Sequence, residues 1–202
     1  MTRERPVRIR EGGGVRFLSA TRLVILIDAH PRHDWLLPAV EKRLREELAA
    51  LQVEVNEEKS RIVDLGRGES FGFLGFDFRR IRGRRGAWRV KYTPKLKKRT
   101  ELLRKLKVVF RRYRSQPVEG VIAEINPVIR GWVNYFAVGH SSECFNFVQT
   151  WVEQKVRRHL MHARQLKGFG WTRWSRRRLY KNFKLFTGYR VRRLQPKVAP
   201  AG

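Results

Sequence analysis

Residues 79–114 hold 17 basic side chains and one acidic one, and residues 151–202 hold 15 and one. Cations at that density do one kind of chemistry well: they replace the counterions condensed along a chain of phosphates. Arg79, Arg80, Arg82, Arg84 and Arg85 cluster about the turn Gly83-Arg84-Arg85-Gly86, and Lys95, Lys97, Lys98 and Arg99 follow closely. These nine are the first candidates for phosphate contacts. In the second block, Gly168 to Arg178 interleaves aromatic residues with arginines, a pattern suited to stacking on unpaired RNA bases. Trp171 and Trp174 can serve as base platforms or as core anchors, the anchor role being preferred for each, while Arg173, Arg176, Arg177 and Arg178 are candidates for phosphate. Arg130 and Asn134, four apart on one helical face, either reach RNA or cap a neighbouring helix.

Other reactive types are sparse. His159 and His162 lie three apart, but no nearby acid or cysteine completes a metal site, so surface histidines are expected. Asp28, at the end of an apolar run, is expected to make a local hydrogen bond rather than to bind metal. Cys144 is the one cysteine, which excludes an intrachain disulfide framework and a multi-cysteine zinc site and suits a reducing compartment. It is expected to be a small packing residue.

Those residues need elements to position them. The net charge is +28, yet 42% of residues are hydrophobic and 11% aromatic, so a folded chain with its charge on the surface is expected. The longest apolar run, Leu23 to Ile27, cannot span a bilayer, and a cytoplasmic location without membrane contact is expected. Its unbroken character predicts a strand covered on both faces. Asp34 to Leu51 predicts a helix with Leu37, Val40, Leu44, Leu48 and Leu51 on one face. Short strands are expected at Val53–Val55, Ile62–Val63 and Phe71–Arg80, the last forming a hairpin with Trp88, Val90 and Tyr92.

Beyond Thr93-Pro94 the periodicity is helical. One helix is expected from Lys95 to Tyr113, with Leu96, Leu103, Leu106 and Phe110 inward. A near-neutral segment follows, in which Val118, Ile122, Ile125, Ile129, Trp132, Val133 and Phe136 recur every three or four residues. Pro127 is expected to kink or restart it near Asn126. Glu143 to Leu160 forms a third, with Val148, Val152 and Val156 inward, and a short helix from Ser175 to Phe186 stops at Gly188. The fold class is therefore α+β, an α+β half leading into an all-α half.

Specific strings then become recognisable. Val53-Glu54-Val55-Asn56-Glu57-Glu58-Lys59-Ser60, Ser70-Phe71-Gly72-Phe73-Leu74-Gly75-Phe76, Tyr92-Thr93-Pro94 and Ile125-Asn126-Pro127-Val128-Ile129-Arg130-Gly131-Trp132-Val133-Asn134-Tyr135-Phe136 occur in that order. Together they resemble the group II intron-encoded reverse transcriptase/maturase family. The resemblance implies an unrelated or disordered leader at 1–22, a remnant of the polymerase palm at 23–92 (short antiparallel strands, a hairpin and one helix), and a thumb with the maturase-specific domain at 93–202. It further implies that Phe73, Leu74, Gly75 and Phe76 form the element that supports a primer end, that Lys59 is the lysine after the catalytic strand, and that the partner is group II intron RNA or another structured RNA.

The departures bear on activity. Members with polymerase activity carry a Tyr-Ala-Asp-Asp turn before the apolar strand, because paired magnesium ions need closely spaced carboxylates. Here that place falls on Ser19-Ala20-Thr21-Arg22, and an arginine repels a divalent cation. A fragment without polymerase activity of its own and without a cofactor is expected, lacking the cysteine-bearing nuclease domain that some members append. Three alternatives stand beside it: a reverse transcriptase completed by a separately encoded fingers-palm piece or a second copy, a protein that binds any polyanion, and a degenerate reading frame.

Overall fold

The computed structural model describes residues 23–28, 30–58 and 60–192. The leader, the Ser19–Arg22 position and Lys59 lie outside the described residues. In chain order the elements are α1 (Leu36–Ala50), the strands β1 (Ser70–Phe73), β2 (Phe76–Arg82) and β3 (Trp88–Pro94), then α2 (Leu96–Arg112), α3 (Val118–Tyr135), α4 (Ser142–Ala163) and α5 (Arg176–Lys181). The three strands form one antiparallel sheet in the order β1-β2-β3. This is the α+β arrangement the periodicity predicts, with strands ahead of a helical region. No helix among the described residues is long and apolar enough to cross a membrane.

The helical region holds the core. Leu106, Val121, Ile125, Ile129, Val148, Val152, Val156 and Leu179 are fully enclosed, each contributing about 1.5–3 kcal/mol of apolar transfer. On α2 the buried stripe runs through Leu102 and Leu106, with Leu103 and Phe110 half-buried and Leu96 exposed, so the predicted inward position of Leu96 is wrong. Leu96 is the first residue of the helix, ahead of the stripe that Leu102 and Leu106 bury. Pro127 does not interrupt α3, which runs unbroken from Val118 to Tyr135. The missing proline N–H faces the Ala123 carbonyl on the exposed side, while Ile125 and Ile129 flank it in the core and hold the helix through it. α5 stops at Lys181 rather than near Gly188. Asn126 explains why: its Nδ2 donates to the Lys184 carbonyl and its Oδ1 accepts from the Phe186 amide, both at 2.9 Å, drawing residues 183–191 onto α3 as an irregular strap.

The sheet joins this core through Phe76, which stacks edge-on against Phe136 at 5.1 Å and Tyr92 at 5.9 Å. The loop between α3 and α4 closes the outer edge of β3, since the His140 amide donates to the Tyr92 carbonyl at 2.9 Å. Gly139 makes that approach possible: its φ is +70°, and a Cβ there would lie 2.2 Å from the Tyr92 ring.

The front of the chain departs from expectation. Leu23 to Ile27 has no regular structure, and Leu23, Val24, Ile25 and Leu26 are exposed, not covered on both faces. Neither Val53–Val55 nor Ile62–Val63 is a strand. A strand exists only where another strand satisfies its amides and carbonyls, and the described sheet ends at β1. α1 does form, supported by the pairs Arg45–Glu41 and Arg43–Glu47 along its surface. Val40, Leu44 and Leu48 are only half-covered, and Leu37 and Leu51 are exposed.

Candidate nucleic-acid interface

The β2–β3 register sorts the hairpin arginines by face. Arg79 stands directly opposite Lys91, and Ile81 opposite Arg89, so Arg79, Arg89 and Lys91 share one side of the sheet. Like charges placed directly across a ladder are destabilising, and here they are retained. Arg80 and Arg82 lie on the other side, opposite Val90 and Trp88. The Arg80 guanidinium covers the Trp88 ring at 4.5 Å, and Arg82 Nε donates to the Gly86 carbonyl at 3.3 Å. Arg84 and Arg85 project from the turn into solvent.

At the base of the hairpin the cations differ in freedom. Lys95 approaches Asp77 at 4.0 Å, Lys98 is paired with Glu101 at 3.0 Å, and Arg99 lies 4.0 Å over Phe147, above the half-buried Cys144. Burial pushes the Cys144 thiol up, against the opposing effect of Arg99, so it stays a packing thiol. Lys97 and Arg130 are exposed.

The Phe73–Phe76 element is the turn joining β1 to β2. Phe73 pairs with Phe76, leaving a two-residue loop in which Leu74 has φ +45° and Gly75 φ +79°. Positive φ at both positions is the hairpin turn that favours Asn-Gly, so the leucine is strained. The Leu74 side chain is exposed, and its carbonyl accepts from the Tyr135 hydroxyl at 3.0 Å. Turn, α2 and α3 together border an open cleft of about 480 Å³ lined by Leu74, Lys98, Lys105, Trp132 and Tyr135 among others. Leu74→Asn is expected to raise stability by about 1 kcal/mol in chemical denaturation, because it relieves that φ. An unchanged or lower stability would mean that the turn is not strained.

The aromatic-arginine block is organised differently from the sequence pattern. Trp174 is 6% exposed in the core, beneath Arg164, so it offers no open face for a base. Trp171 is 50% exposed with the Arg157 guanidinium 4.4 Å over its ring, and Phe169 is 53% exposed beside Arg158. The protein's own α4 arginines stack on these aromatics.

Arg176 and Arg178 also have internal duties. Glu153, 1% exposed, accepts from Arg176 Nε at 2.8 Å, from Arg157 Nη2 at 3.3 Å and from the Tyr180 hydroxyl at 2.6 Å. Burial and then the bond to Glu153 push the Tyr180 phenol up to about 12. Arg178 Nη1 donates to the Arg173 carbonyl at 2.9 Å, which closes the loop ahead of α5. Arg173 and Arg177 remain exposed. Sequence reasoning missed Glu153 and Asn126. The only signal for the first was a lone acid in a strongly basic segment, at the i−4 position from Arg157.

His159 is not a surface residue: it is buried, with Nε2 2.9 Å from the Gln116 carbonyl. Among the described residues no group of three His, Cys, Asp or Glu side chains is placed to hold a metal ion. Asp28 makes a local contact, its carboxylate held below the usual range by His33, although no strand precedes it.

No curated protein matches the chain. The family model for the group II intron, maturase-specific domain matches residues 99–181, from the first turn of α2 to the last residue of α5, so this stretch is similar to the domain that the resemblance of the sequence led one to expect.

Proposed function

We propose that the protein is an RNA-binding maturase fragment that contacts group II intron RNA through the hairpin cations and the helical region, assisting the intron to fold and splice. The observation that carries this reading is the cationic face of the hairpin, where among the described residues Arg79, Arg89 and Lys91 make no ion pair and the one carboxylate, Asp77, turns to Lys95. Arg79 and Lys91 stand side by side with Arg89, and Arg84 and Arg85 extend beyond them, a cost that a polyanion would remove. The maturase-specific domain at residues 99–181 supports intron RNA as that polyanion. The contacts proposed need no cofactor held by these side chains. Competition binding tests the reading: purified protein on a group II intron RNA, challenged with tRNA and with duplex DNA at two salt concentrations. Intron RNA is expected to resist both competitors at moderate salt. Equal competition by every polyanion would reduce the protein to a general cation.

A second reading is favoured by one observation, the exposed Leu23–Leu26 run that precedes the poorly covered α1. It suits docking onto a separately encoded fingers-palm piece of a reverse transcriptase, with magnesium held by that partner's carboxylates. Thr21 and Arg22, where the resemblance places the aspartates, argue against a catalytic contribution from this chain. Polymerase activity that appears only on mixing the two pieces would establish it.

A further inference from the structure

Beyond the hairpin, the helical region has a second basic surface, on which Arg158 beside Phe169 is joined by cations of α2 and α4. Arg99 over Phe147, Phe110 against Trp151 and Arg114 bonded to His162 advance together along α2 and α4, so the two helices run parallel. The first and last of these contacts share one offset, 48 residues, and the same offset sets Lys107 beside Lys155. Lys107 and Arg111 lie on one face of α2, Arg114 follows just past its end, and Lys155, Arg158 and His162 recur on one face of α4. The Arg114–His162 bond, 2.8 Å from Nη2, shows that both rows border the same seam. Phe110 and Trp151 form part of its floor, with Lys155 Nζ 5.3 Å over the Trp151 ring.

Among the described residues, no ion pair neutralises the charges on this seam. Burial lowers the Lys155 pKa, and the charges that lower it further are Arg158, Lys107 and Arg111. Among the described residues no carboxylate pairs with any of these four, and Arg114 turns to a histidine ring nitrogen instead. Each row extends about 10 Å along its helix, and packed helices lie about 8–10 Å apart. An anionic membrane is the poorer fit, because a surface-seeking helix needs an apolar face to insert, and that of α2 is enclosed in the core through Leu102 and Leu106.

We propose that the α2–α4 seam is a second phosphate-binding surface, on which the backbone of one RNA strand lies between the Lys107–Arg111 row and the Lys155–Arg158 row. Phe169, beside Arg158 and half-exposed, stands where an unpaired base of that strand can stack. The proposal rests on the RNA-binding reading and adds a site to it.

The test uses the full chain with Lys107, Arg111, Lys155 and Arg158 all changed to Gln, titrated with a group II intron RNA across a salt series. Lys42→Gln with Arg43→Gln on α1 serves as a charge-loss control. The slope of log affinity against log salt is expected to fall by about three, with affinity at 0.1 M salt reduced on the order of 10²- to 10³-fold. Melting is expected at the same or a higher temperature, since four mutually repelling cations have gone. A variant with the parent's slope and affinity overturns the seam while leaving RNA binding to the hairpin. A variant that keeps RNA binding but loses adsorption to phosphatidylserine vesicles assigns the seam to membrane and overturns it too. If the parent itself shows no RNA binding, the wider reading fails and takes the seam with it.

Discussion

Changing Glu153 to Ala is expected to destabilise the protein by about 3–5 kcal/mol, the cost of removing one partner from a buried ion pair. Arg157, 3% exposed, would keep its charge in the core with only the Trp174 carbonyl to bond, and its Nη1 has no hydrogen-bond partner among the described residues even now. Tyr180 would lose the acceptor of its hydroxyl, and Arg176 would lose its anchor to α4. For a domain of this size the loss corresponds to a melting temperature lower by roughly 10 °C, readable by circular dichroism. Glu153→Met combined with Arg157→Met should recover much of it, because a buried pair replaced by apolar side chains of similar volume is often neutral. A single Glu153→Ala variant that melts within about 3 °C of the parent would show that the node is open to water and that Arg176 is free for other partners.

The second large effect is expected at the hairpin. Arg79, Arg84, Arg85 and Lys91, all changed to Gln, remove four cations from one end of the sheet. Each single-strand phosphate contact contributes about 0.7 to the salt exponent, so four lost contacts reduce RNA affinity at 0.1 M salt on the order of 10²- to 10³-fold. The same change separates Arg79 from its like-charged neighbour Lys91, so stability should rise by about 0.2–1 kcal/mol. The two readouts move in opposite directions, which a general loss of folding cannot imitate. Affinity unchanged in filter binding would remove the hairpin from the interface.

Much of this was legible in the sequence because it follows from local period and charge. Val148, Val152 and Val156 recur at four-residue spacing and are all fully buried, and the Gly83–Gly86 turn joins two strands as expected, although Trp88 and Val90 are exposed and burial along β3 does not alternate. What was not legible depends on partners distant in sequence. Leu23 to Ile27 reads as a buried strand in isolation, but whether it pairs is decided by other strands. The opposite error occurs at Arg176, which looks like a surface cation until Glu153, on another helix, is seen to claim it. Trp171 and Trp174 are three residues apart and of one type, yet one is half-exposed and the other enclosed. Just ahead of both, Gly170 takes a left-handed conformation at φ +72°, and a Cβ there would lie 2.8 Å from the Met161 side chain, a constraint that residue type alone does not reveal.

The strap that Asn126 holds on α3 bears on what counts as one module. Leu185, 3% exposed, and the Phe186 amide lie beyond residue 181, and Phe76 lies ahead of residue 99, yet all belong to the same packed interior. A piece trimmed to residues 99–181 would carry the recognisable family signature while opening its interior at both ends. It would leave Asn126 without its acceptor and donor, and Phe136 without the ring that covers it. The stretch that heredity marks as a unit is therefore smaller than the stretch that can hold its own shape.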